Sequence, residues 1–140
     1  MTVFDEITLL NVKIKRVQEK LDFLQMKIDS PRSSVLSDMP RGGGGAGNPL
    51  EDYIVKKEEY EEKLRFLEKR VENLWANAYY LMDNAKIDSQ VQVMMYLRIA
   101  QGLRWEKCAQ TLAKKYPYGK WNVNKCFRKY REVLSKTRRL

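Results

Sequence analysis

The side chains of this chain that could do chemistry are cations, and they gather at one end. From Lys114 to Leu140 there are ten Lys and Arg residues against one acid, Glu132, a net charge of +9. That equals the formal charge of the whole chain, so the residues before Lys114 balance to zero. A field this one-sided attracts a polyanion. Asparagines, tyrosines and a tryptophan interleave with the charges, and together they suit double-stranded DNA best.

Other chemistries lack their parts. The chain has no histidine, hence neither the commonest general base nor the commonest zinc ligand. Cys108 and Cys126 fall on apolar helical positions, where a reduced cysteine packs as a small hydrophobe. The run Gly42 to Gly45 is not followed by Lys-Ser/Thr and no strand precedes it, so it is no phosphate loop. We expect no catalysis, no cofactor and no metal. No apolar run approaches the ~20 residues of a membrane span. The first residues lack the basic and apolar segments of a secretory signal. The expected location is the cytoplasm, with no membrane partner.

Four zones must position the cations. In residues 1–29, Val3, Ile7, Leu10, Ile14, Val17, Leu21, Leu24 and Ile28 alternate in steps of four and three, the narrow seam of a coiled coil. Residues 30–49 hold the glycine run, three prolines and four serines, and read as a flexible linker. In residues 50–87 the seam returns as Tyr53, Tyr60, Leu64, Leu67, Val71, Leu74, Ala78, Leu81 and Ala85, with Lys57 its polar intruder. Two seams need partners. The expectation is a long helical hairpin that dimerises, although a seam closed within its own chain, and a parallel pairing, stay open.

Residues 88–140 change period. Three shorter helices are expected. The first is capped by Asp88 or Ser89 and stopped at Gly102; the second begins near Arg104 and the third near Trp121. Tyr116-Pro-Tyr-Gly119 is a turn. This order, with the charge on the last helix, describes a helix-turn-helix module in an all-α protein. Val123, Phe127, Tyr130 and Leu134 should face the core. Asn122, Asn124, Lys125 and Arg128 are then candidates to read base edges. Lys114, Lys115, Lys120, Lys129 and Arg131 are candidates for phosphates, which position without reading sequence. Trp121 either plugs the gap beneath the turn or touches a thymine methyl. Lys136, Arg138 and Arg139 form a basic tail.

Leu97-Arg-Ile-Ala-Gln-Gly-Leu-Arg-Trp-Glu-Lys-Cys-Ala-Gln-Thr-Leu112 resembles the first half of the helix-turn-helix of sigma-factor region 4. That family carries Gly-x-Ser-Trp-x-x-Ile-Ala-x-x-Leu; here Leu103-Arg104 replaces x-Ser and Cys108 replaces Ile. The stretch Leu36-Ser-Asp-Met-Pro-Arg-Gly-Gly-Gly-Gly45, between charged helices, is similar to the linker of ArpU/RinA-like late-gene activators from phages of Gram-positive bacteria. The step from Leu112 to Val123 is longer than in the sigma motif by about one helical turn. The resemblance implies binding near a promoter, activation of phage late genes in a bacterial cell, and a contact with RNA polymerase. Two other readings stay open: a DNA-packaging protein of the small terminase subunit type, which assembles as a ring, and a coiled-coil adaptor whose basic end binds acidic protein.

Overall fold

The computed structural model describes residues 1–29 and 49–138 of the 140-residue chain. The expected linker lies outside the described residues except for Pro49, as does Arg139. The described residues are all-helical. Helix α1 spans Val3–Asp29 and α2 spans Pro49–Asn84. Helix α3, Ser89–Met95, runs into a widened π turn, Tyr96–Ala100. Helix α4 is Trp105–Lys115, a single 3-10 turn covers Pro117–Gly119, and α5 is Val123–Thr137.

The helix starts follow local chemistry. Thr2 and Asp5 cap α1 reciprocally: the Asp5 amide donates to Thr2 Oγ1 and the Thr2 amide to Asp5 Oδ2, both at 3.1 Å. Pro49 opens α2, where its missing N–H costs nothing, and Glu51 and Asp52 meet the positive end of the helix dipole. Asp88 caps α3 by accepting from the Gln90 amide. Gly102, at φ 64°, supplies the left-handed residue that ends the third helical stretch. That stretch was expected to be regular up to Gln101. Instead its last turn widens, and the Gln101 amide reaches back five residues to the Tyr96 carbonyl at 3.3 Å.

The chain forms two compact units. One is Val12–Arg70, containing most of α1 and the first half of α2. Within it Val17, Leu24 and Leu67 are buried, and Ile14, Leu21, Tyr60 and Leu64 are half-buried, as their seam positions require. Lys57 lies on the same stripe, half-buried, and pairs with Glu61 at 3.3 Å. Lys20 covers the face of the Tyr60 ring at 5.4 Å.

The other unit is Met1–Asn11 with Val71–Leu140. Its core joins Phe4 and Ile7 of α1 and Ala78 and Met82 of α2 to Met94, Met95, Cys108, Leu112, Cys126 and Val133. The compact division therefore does not fall at 87/88, where the change of period puts it. Three short helices have little apolar surface to share, and the ends of both long helices complete their core.

Candidate nucleic-acid interface

Helix α5 is built to hold one face still and expose the other. Asn122 caps it, accepting from the Lys125 amide at 2.8 Å. Cys126, Val133 and Thr137 are buried, with Val123, Tyr130 and Leu134 half-buried beside them. The Thr137 hydroxyl is satisfied by the Val133 carbonyl at 2.7 Å. Almost opposite stands an exposed stripe at steps of four and three: Asn124, Arg128, Arg131, Ser135 and Arg138. Of the expected core stripe, Val123, Tyr130 and Leu134 pack against the core, and Phe127 departs from it. Phe127 is 42% exposed, and the small Cys126 takes the inner place. Phe127 lies against the Trp105 ring at 4.8 Å, so the aromatic pair closes the edge of the core instead of filling it.

The turn before α5 engages two of the candidates. Trp121 is only 6% exposed, and its indole N–H donates to Gln90 Oε1 at 3.0 Å. It is the plug beneath the turn. Lys125, expected to read a base, is half-buried: its ammonium donates to the Gly119 carbonyl and sits 4.4 Å above the Trp121 ring. Its charge serves the turn. Asn122 is exposed, with its carbonyl oxygen committed to the cap.

The remaining candidates divide by their partners. Lys129 is half-buried and lies 3.7 Å from Glu132, which also pairs with Lys136 at 3.2 Å. Those neighbours hold the Glu132 carboxyl below its ordinary range, the Lys136 hydrogen bond most strongly. Lys114, Lys115, Lys120, Asn124, Arg128 and Arg131 are exposed, and none of these cations has an ion-pair partner among the described residues. The net positive field is therefore carried by the end of α4, the turn and the outer stripe of α5.

Residues overlooked in the sequence lie on α4. Lys107, Gln110 and Thr111 join Lys114 and Lys115 in lining a shallow groove of about 450 Å³. Their spacing of three, four and seven was the available signal, masked because Glu106 and Lys107 cancel in a charge count. Lys115 also borders a second groove of about 330 Å³, shared with Gln90, Tyr116, Pro117, Tyr118 and Gly119.

Burial pushes both thiols up, that of Cys126 to about 11, so they stay protonated and unreactive near neutrality. No cluster of three or more metal-ligating side chains occurs among the described residues, and none of their helices is long and apolar enough to cross a membrane. Comparison with protein-family models, with curated proteins and with solved structures yields no match.

Proposed function

We propose that this protein is a sequence-specific double-stranded DNA-binding regulator of transcription that works as a dimer. In this reading α3, α4 and α5 are a helix-turn-helix, α5 lies in the major groove, and α1 with α2 is the hairpin that carries the dimer contact. The observation that carries the proposal is the exposed Asn124, Arg128, Arg131 stripe, backed by a core that fixes its direction. Asparagine pairs in two ways with adenine and arginine with guanine, so a rigid helix presenting both can discriminate between bases. Activation of phage late genes at a promoter, with a contact to RNA polymerase, is the role that the resemblance to ArpU/RinA-like activators and to sigma-factor region 4 supports.

The test is selection of bound duplexes from a random pool, followed by titration of the recovered site across salt concentrations. One recurrent site should emerge. With about five phosphates neutralised per module, log affinity should fall against log salt with a slope of about −4 to −5. A flat salt response, or a pool that never narrows, would end the proposal.

A further inference from the structure

The turn between α4 and α5 carries a feature that base reading by α5 leaves unused. Tyr118 is 97% exposed, its ring held out in water at the tip of the 3-10 turn. The backbone beneath it is tightly fixed. The Tyr116 amide donates to the Leu112 carbonyl at 2.7 Å, and the Gly119 amide to the Tyr116 carbonyl at 2.9 Å. Pro117 locks its own φ at the start of the turn. Gly119 packs so closely that a Cβ there would stand 2.8 Å from the Trp121 ring and 2.9 Å from Gln90 Oε1. The Trp121–Gln90 hydrogen bond and the Lys125 ammonium on the Gly119 carbonyl close the latch. A turn this constrained does not need an aromatic tip for its own stability, since Tyr118 touches almost nothing. The ring adjoins the groove that Lys115 shares with the α4 groove, so exposed cations lead from Lys107 along α4 to the turn.

We propose that this strip, from Lys107 through Lys114 and Lys115 to Tyr118, is a second DNA contact that follows the sugar-phosphate backbone beside the groove occupied by α5. Tyr118 is its neutral member: the hydroxyl donates to a phosphate oxygen and the ring covers the adjoining sugar. Tyrosine is one of the side chains that make such contacts, and they set register without reading sequence. Rigidity of the turn is what makes the contact useful, because the hydroxyl is already placed and little freedom is lost on binding. The inference rests on the DNA-binding reading and extends it to residues outside the α5 stripe.

The full-length chain is compared with Tyr118→Phe and Lys107→Gln, each titrated with the selected site and with random duplex over a range of salt. Both positions are exposed, so helical content by circular dichroism should match that of the parent. For Tyr118→Phe the expected result is an affinity about tenfold weaker on both duplexes, the size of one hydrogen bond to a charged group, with the salt slope unchanged. For Lys107→Gln the slope should become shallower by about one, again on both duplexes. If the parent binds and Tyr118→Phe binds equally well, or loses affinity on the selected site alone, the track is wrong while the α5 reading stands. An unchanged slope for Lys107→Gln overturns it likewise. A parent that binds neither duplex removes the DNA-binding reading itself.

Discussion

Lys120 and Lys125 flank one turn and look equivalent on a charge map, yet their surroundings differ. Lys120 is exposed in a left-handed backbone conformation, φ 53°, and its ammonium is open to a partner. Lys125 is spent on the Gly119 carbonyl and the Trp121 face. The same contrast separates Lys125 from Arg128, three positions further along α5 and fully on the outer stripe. Under the proposed function the two should fail in different assays. Arg128→Ala should weaken binding to the selected site by roughly 1–3 kcal/mol and relax base choice there, while thermal unfolding stays put. Lys125→Ala should lower the melting temperature through the loosened turn, and any loss of DNA affinity should be no larger than one salt-dependent contact. A charge count cannot separate these lysines, because what distinguishes them is a carbonyl six residues back and an indole four residues back.

At the scale of elements, the π turn at the end of the third helical stretch is tied to α1. Widening a turn disturbs the ordinary pairing of carbonyls, and the Ile99 carbonyl accepts from the Asn11 side-chain amide at 3.1 Å. Arg98, in the same turn, donates to the Leu103 carbonyl at 2.9 Å and lies 4.5 Å over the Trp105 ring, fixing the entry to α4. Asn11→Ala should therefore cost about 1 kcal/mol, read as a lower midpoint in denaturant with an unchanged slope. An unshifted midpoint would mean that water replaces the amide at no cost. The long helices were legible because a 4-3 repeat over eight positions has no other reading, and burial at Ile7, Leu10, Val17, Leu24, Leu67 and Ala78 follows it. Gly102 and Asp88 were legible as a stop and a cap. Phe4 was not, since it lies one position off the seam, and it is fully buried because the short helices, not α2 alone, cover it. On α5 the expected stripe holds at Val123, Tyr130 and Leu134 and fails at Phe127. Size ranks Phe127 above Cys126 as a core residue, whereas Cys126 is fully buried and Phe127 packs on the Trp105 ring at the edge of the core. The π turn left no local signal, its partner being 88 residues away.

For the whole molecule the question is what so much α1 and α2 is for. The core that holds α5 needs only their ends, Phe4, Ile7, Ala78 and Met82. The unit Val12–Arg70 has its own narrow seam, yet it also leaves Val12, Phe23 and Met26 on α1 and Val55 and Phe66 on α2 exposed, Phe66 by 68%. Two helices sharing one seam bury little, and apolar residues off that seam are what a four-helix arrangement would cover. The proposed dimer gives them that cover and gives the DNA a second reading head, so that affinity for a two-fold site rises without any new base contact. The native mass should then be twice 16.6 kDa. Phe66→Asp should return it to the single-chain value with helical content intact, because the side chain is already in water within one chain. Binding to a single half-site should be unchanged, and binding to the two-fold site should fall by roughly 10²–10⁴. A parent mass of eight or more chains would instead favour the ring-forming packaging protein. If Phe66→Asp stays dimeric, the contact between chains lies elsewhere, and the long helices keep only the task of completing the core beneath α5.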